Sequence, residues 1–154
     1  MGQHPHLTPS DVDRVTRTWR RMAALGPVAA RTFYRTLFDL RPQYRQLFEE
    51  DMEGQYVKFM STMGFLVDHL HDPALFEIEA RALGNRHKDY GVVPIDYASG
   101  GLALMRTFDK HLVPPLTKRE RVAWVHLYDD VALLMIDDGV PSEAEPVREN
   151  EQPE

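Results

Sequence analysis

The stretch ALGNRHKDYGV, residues 82–92, decides the fold of this chain. It closes a segment of apolar residues at helical spacing and is followed by a Tyr-Gly turn and by a proline at position 94. This pattern places His87 near the end of one helix, shortly before the next helix begins. By itself, a histidine at such a place indicates a metal ligand and nothing more specific.

The composition bounds the class of protein. The chain has 154 residues, of which 43% are hydrophobic and 27% charged, enough for one compact core. The absence of cysteine excludes disulfides, thiolate zinc sites, iron-sulfur clusters and covalently attached haem. A net charge of −6 argues against nucleic acid as a partner. No leader-like or membrane-spanning apolar run is present, so we expect a soluble cytoplasmic protein that binds no membrane.

The sequence predicts one folded domain over residues 7–139, between a flexible N-terminus (1–6) and an acidic tail (140–154). Between positions 141 and 154 there are five Glu, three Pro and only two apolar residues. Such a stretch buries too little apolar surface to offset the entropy cost of ordering it. We therefore expect the tail to be disordered.

Apolar residues recur at helical spacing almost throughout, and no run alternates like a strand, so the domain is predicted to be all-α. Thr8 and the Thr117/Glu120 pair have the spacing of helix N-caps, and prolines mark several other helix starts. The first predicted helix begins at Pro9 and ends before Gly26; the others cover about 28–40, 52–71, 73–90, 94–113 and 118–138, with a helical turn after Pro42.

Three features occur in a fixed order: Pro42 directly after the second helix, Phe48 six residues later, and the Leu-Gly-x-x-His-x-x-x-Gly-Val pattern around His87. Together they resemble a globin, over about residues 7–138. The similarity is to the single-domain bacterial type, related to the globin domain of flavohaemoglobins. The resemblance implies a globin fold, a helical sandwich around a haem pocket, with haem b held non-covalently.

On one side of the haem, the resemblance assigns His87 as the proximal iron ligand. One ring nitrogen would bind the metal, and the other would donate a hydrogen bond to a backbone carbonyl, that of Leu83 one turn earlier. Phe48 matches a phenylalanine that packs against a face of the haem, and the resemblance leaves open which face. Tyr97 matches a residue that contacts the proximal histidine, and Val92 is expected to line the proximal side.

On the other side, Tyr34 and Gln55 match the distal tyrosine and glutamine of bacterial globins. Phe59 lies one turn after Gln55 on the same helix face and is expected to touch the porphyrin. Lys58 and Arg86 are placed near the rim, where they could pair with the haem propionates. The alternative for Gln55 is a surface amide, and the alternative for the two basic residues is a solvated position with no partner.

One position departs from the family pattern. Flavohaemoglobins carry a glutamate on the last helix that increases electron donation by the proximal histidine. Counting from Trp124, that position is Gly139, and Asp137 or Asp138 could replace the glutamate only with altered geometry. We therefore expect His87 to be a neutral anchoring ligand and not the electron-rich ligand of a peroxidase.

The function expected from the resemblance is reversible binding of O2, and also of CO and NO, at a five-coordinate iron, in oxygen transport or storage. The alternative is a nitric oxide dioxygenase served by an external reductase, because the chain stops where the reductase of flavohaemoglobins would begin. A gas sensor or partner-binding module ranks lower. The residues leave open whether the protein is a monomer or a homodimer, and whether Tyr34 coordinates ferric iron directly.

Overall fold

A computed structural model describes residues 7–137, and the predicted flexible N-terminus and acidic tail lie outside this range. Within it all regular secondary structure is helical and there is no strand, so the all-α prediction is confirmed. None of its helices combines the length and apolarity needed to cross a membrane. The elements are α1 (Pro9–Ala23), α2 (Pro27–Leu40), a short 3-10 helix (Pro42–Leu47), α3 (Glu53–Asp68), α4 (Pro73–Asp89), α5 (Asp96–His111) and α6 (Lys118–Ile136).

Local capping starts three of these helices. The Thr8 hydroxyl accepts the Asp11 amide proton at 3.1 Å, and the Asp11 carboxylate accepts that of Thr8 at 3.2 Å. Thr117 and Glu120 repeat this reciprocal arrangement at α6, as predicted from their spacing. Asp72 caps α4 through the Leu75 amide at 3.3 Å. Each cap satisfies backbone donors that have no partner inside the helix.

Four predicted helix boundaries were wrong by two or three residues; one of them is the end of α5, which lies at His111 and not near 113. α3 ends at Asp68 and not near 71, because Nδ1 of His69 binds the carbonyl oxygen of Phe65 at 2.8 Å and the backbone turns there. α5 begins at Asp96 and not at 94, because the Asp96 carboxylate accepts the amide proton of Val93 at 3.0 Å and keeps that segment in a turn. α6 is described to Ile136, with Asp137 as its cap.

The core forms where α1 and α4 pack against α6, and where α2 packs against α5 and α3. Trp124 lies at its centre and donates from Nε1 to the buried Thr18 hydroxyl at 2.7 Å, which satisfies both polar groups away from water. The spacing of apolar residues in α6 places Val122 and Val125 together with Trp124. In the structure, however, both valines face outward. The other large buried side chains include Val15, Trp19, Met22, Phe33, Leu37, Phe76 and Phe108.

Although α3 and α4 are consecutive in the chain, they pack mainly against different partners. α3 lies against α1 and α2, whereas α4 lies against α6, and the two helices touch each other little. Phe59 and Met63 on α3 and Leu83 on α4 are consequently only half-buried. The fold thus leaves apolar side chains on two sequential helices without full cover.

Gly84 brings α4 into close contact with α6. A Cβ atom at this position would lie 2.3 Å from the carbonyl oxygen of Met135 and 2.5 Å from its Cα, so the two backbones touch where a side chain would otherwise stand. The neighbouring atoms are backbone, so they cannot move aside as a flexible side chain would. Gly84 therefore sets the position of the last turn of α4, which carries His87.

We predict that Gly84→Ala lowers the free energy of unfolding by about 1–3 kcal/mol, because the added methyl group forces α4 away from α6. Urea denaturation followed by circular dichroism measures this change. Gly54→Ala on α3 is the matched control, since nothing lies within 4 Å of the added atom. The control should be neutral or stabilising by up to about 1 kcal/mol, because alanine is the better helix former. Equal stability of the two variants would contradict the close contact.

Candidate functional site

His87 lies in the last turn of α4 and is half-buried. Its Nδ1 atom is 2.9 Å from the carbonyl oxygen of Leu83, one turn earlier. A carbonyl only accepts, so Nδ1 carries the proton and the lone pair is on Nε2. The hydrogen bond expected from the sequence is therefore present, and it fixes the tautomer and restrains the ring.

The electrostatic surroundings keep this imidazole neutral. Burial lowers the pKa of His87 more than the hydrogen bond to Leu83 raises it, and the nearby positive charge of Arg86 lowers it slightly further. Within the described residues, Nε2 makes no hydrogen bond. A neutral imidazole with an uncommitted lone pair is the form of histidine that binds metals.

The chain turns sharply after His87. The amides of Tyr90 and Val92 both donate to the carbonyl oxygen of His87, at 3.0 and 3.1 Å. Gly91 has φ +85°, a conformation that side chains disfavour, and so permits the turn. Val92, which is predicted to line the proximal side, directly follows this turn and is half-buried.

Tyr97, in the first turn of α5, lies beside His87 as predicted. The two rings are nearly parallel, at 25°, with centroids 6.2 Å apart. The Tyr128 hydroxyl on α6 donates to the backbone carbonyl of Tyr97 at 2.7 Å, a contact that the sequence did not reveal. It depends on Gly100, where a Cβ atom would lie 2.6 Å from the Tyr128 oxygen.

A second group of residues surrounds Tyr34 on α2. This side chain is buried, with only 6% of its surface exposed. Aromatic rings from α2, from the segment after the 3-10 helix and from α3 enclose it, so the phenol has little access to water. The ring centroids lie at 5.1 Å (Phe33), 5.3 Å (Phe48), 5.6 Å (Phe59), 5.9 Å (Phe38) and 6.1 Å (Tyr56) from that of Tyr34.

Gln55 reaches Tyr34 from α3. Its Nε2 donates to the Tyr34 hydroxyl oxygen at 2.8 Å, and the residue is half-buried, unlike a solvated surface amide. Burial raises the pKa of Tyr34 to about 12, while the bond from Gln55 opposes this rise. The phenol is therefore protonated near neutral pH, and its own proton remains available for a further acceptor.

The basic residues predicted at the rim are both exposed. Arg86 lies 3.4 Å from the carboxylate of Glu79, and such an exposed pair contributes little stability. Lys58 makes no ion pair or hydrogen bond among the described residues. Neither side chain is committed to a strong internal partner.

Asp137, near the end of α6, is paired with a residue of α4. The carboxylate of Asp137 is exposed and forms an ion pair with Arg81 of α4 at 2.8 Å. Arg81 also binds Glu77, so Asp137 contributes to a surface network that fastens α4 to the end of α6. Positions 138 and 139 lie outside the described residues.

The structure thus forms two separate groups of site residues. The Tyr34 group consists of Tyr34, Gln55, Phe48 and Phe59. The His87 group consists of His87, Leu83 and Tyr97. In the described range, no hydrogen bond or ring stacking joins them. One group offers a neutral imidazole nitrogen, the other offers polar donors, and half-buried apolar side chains lie on both α3 and α4. This set fits a haem, which needs an iron ligand, apolar contacts to its faces and a polar group at the opposite side.

Two comparisons relate the chain to known proteins. The model of the Globin family matches residues 31–135, which is more than half of the chain and includes both groups. The chain is also similar to a solved structure, the closed form of the HGbRL globin domain, at 32% sequence identity. The match covers 84% of this chain and 94% of that chain, with a TM-score of 0.39.

Proposed function

The chain belongs to the globin family, whose members bind haem, and from this premise we propose that it binds O2 reversibly, with His87 as the iron ligand. Ferrous haem supplies a metal that takes O2, CO or NO. The observation that supports the proposal best is the hydrogen bond from Nδ1 of His87 to Leu83. It leaves the opposite nitrogen of a neutral ring as the ligand atom.

Tyr34 and Gln55 form the distal side in this proposal. Bound O2 carries partial negative charge, which a hydrogen-bond donor stabilises. The Tyr34 phenol keeps its proton because burial raises its pKa to about 12. Gln55 donates to the phenol oxygen and so holds the hydroxyl with its proton free for the bound ligand. The enclosing aromatic rings limit competing water.

Apolar side chains would hold the porphyrin itself. We assign Phe48 and Phe59 to the distal face, and Leu83 and Val92 to the proximal face; all four are half-buried in the structure. Burial of such surface against a flat apolar ligand contributes favourably, at about 25 cal/mol per Å². Lys58 and Arg86, both exposed, would pair with the propionates at the rim.

Removing the proposed ligand tests the assignment directly. We predict that His87→Gly loses the Soret band that wild-type protein shows after haem addition, because the imidazole that would ligate the iron is gone. Added imidazole should restore the band by occupying the space left by the ring. His71→Gly, an exposed histidine in the turn before α4, is the control and should bind haem normally. An unchanged spectrum in His87→Gly would overturn the assignment.

Removing the Tyr34 hydroxyl tests its proposed role as the hydrogen-bond donor to O2. We predict that Tyr34→Phe speeds O2 dissociation by about 5- to 150-fold, since one hydrogen bond of about 1–3 kcal/mol is lost. Stopped-flow or flash photolysis measures this rate. Tyr56→Phe is the matched control: its ring lies 6.1 Å from that of Tyr34, but its hydroxyl makes no hydrogen bond in the described chain. An O2 off-rate that stays the same in Tyr34→Phe would exclude it as the donor.

The same pair of donors would also serve the alternative activity, conversion of NO and O2 to nitrate. Asp137, one of the two residues considered able to replace the glutamate that strengthens the proximal ligand in flavohaemoglobins, is instead paired with Arg81. We therefore predict one stoichiometric burst of NO consumption by the oxygenated protein, measured with an NO electrode. Many turnovers in the presence of a cellular reductase and its electron donor would instead favour the dioxygenase.

A further inference from the structure

Two side-chain hydrogen bonds fasten the 3-10 helix to the start of α5. The Tyr44 hydroxyl donates to Oδ1 of Asp96, and Nε of Arg41 donates to the Ser99 hydroxyl at 3.1 Å. Partial burial and the Asp96 carboxylate raise the pKa of Tyr44 to about 12, so its hydroxyl remains a donor. Residues more than 50 positions apart are thereby held together.

Asp96 uses its second carboxylate oxygen on the loop that follows His87. Oδ2 accepts the amide proton of Val93 at 3.0 Å, while Oδ1 accepts the hydroxyl of Tyr44. That loop starts at the turn closed on the His87 carbonyl and ends where α5 begins. One carboxylate therefore ties both the loop and the first turn of α5 to the 3-10 helix.

The residue after Asp96 is Tyr97, whose ring lies beside that of His87. Its backbone carbonyl is held from the other side by the Tyr128 hydroxyl at 2.7 Å. Tyr97 is thus held from two sides. Tyr128 of α6 binds its backbone carbonyl, and Tyr44 binds the preceding residue, Asp96. Both contacts therefore hold the segment that carries the Tyr97 ring.

From these contacts we infer that Tyr44 is a positioning residue for His87. Acting through Asp96, it holds Tyr97 against the imidazole and so sets the orientation in which Nε2 meets the iron. The inference rests on the proposed function, because it concerns the geometry of His87 toward a bound haem. It also connects the two sides of the site, since Phe48 directly follows the 3-10 helix that carries Tyr44.

The competing explanation is that the Tyr44–Asp96 bond only stabilises the fold. In that case, its removal lowers the melting temperature and leaves the bond between iron and His87 unchanged. The stretching frequency of that bond in the ferrous, ligand-free protein separates the two explanations, because it responds to the orientation and hydrogen bonding of the imidazole.

The experiment compares three haem-loaded variants with the wild type. Tyr44→Phe removes the hydroxyl and keeps the ring, and Asp96→Asn keeps the shape while replacing one acceptor oxygen by a donor. Tyr90→Phe is the control: Tyr90 lies closer to His87 in sequence but is 63% exposed, and its hydroxyl makes no hydrogen bond in the part of the chain that the structure describes. Resonance Raman spectroscopy gives the iron-histidine band, and hydrogen exchange of the Val93 amide reports on the loop.

We predict that the iron-histidine band shifts by several wavenumbers in Tyr44→Phe and Asp96→Asn and stays in place in Tyr90→Phe. Exchange of the Val93 amide should be about 5-fold faster in Tyr44→Phe, as for the loss of one ordinary hydrogen bond. An unmoved band in a Tyr44→Phe protein with a normal Soret band would overturn the positioning role alone. If the wild type bound no haem, the proposed function would fail first, and this role with it.

Discussion

The geometry of the candidate site depends on how closely α4 lies against α6. Gly84 allows the two backbones to touch at Met135, and this contact places the last turn of α4. Within that turn, the carbonyl of Leu83 orients the ring of His87. The place from which His87 presents Nε2 therefore depends on Gly84, three residues earlier. A side chain at Gly84 would push α4 away from α6, because close packing leaves no room for it.

The two sides of the site are built in different ways. On the side of Tyr34, aromatic rings and the Gln55 amide hold a single hydroxyl, so the arrangement relies on burial and one hydrogen bond. On the side of His87, the loop and the start of α5 are held by polar contacts from the 3-10 helix and from α6. In the proposed function, the first arrangement would fix which atoms face the ligand, and the second would fix the backbone that carries the iron ligand His87.

Local interactions explain most of what the sequence predicted. The caps at Thr8 and Thr117 and the bond from His87 to Leu83 join residues three or four positions apart, where helix geometry determines the distance. The shortened end of α3 also has a local cause, the bond from His69 to Phe65, but helix and turn compete there with small energy differences. The roles assigned to the site residues came from the resemblance to globins and from the order of the motifs.

Two contacts between distant residues were not predicted, because they depend on how the helices pack. The ion pair that occupies Asp137 joins it to Arg81, 56 residues earlier, so spacing alone suggested a role for Asp137 that its partner does not support. The hydroxyl of Tyr128 likewise meets Tyr97 only because two helices cross at a glycine. Neither tyrosine carries a sequence signal for that contact.

The enclosure of Tyr34 has a consequence for how the protein responds to acidity. A phenol that ionises only near pH 12 has the same protonation state in every cellular compartment. If Tyr34 stabilises the bound ligand, that contribution is constant from mildly acidic to mildly alkaline solution. Any proton uptake or release coupled to ligand binding in this range then originates in other groups, such as histidines, and the distal side acts as a pH-insensitive part of the binding site.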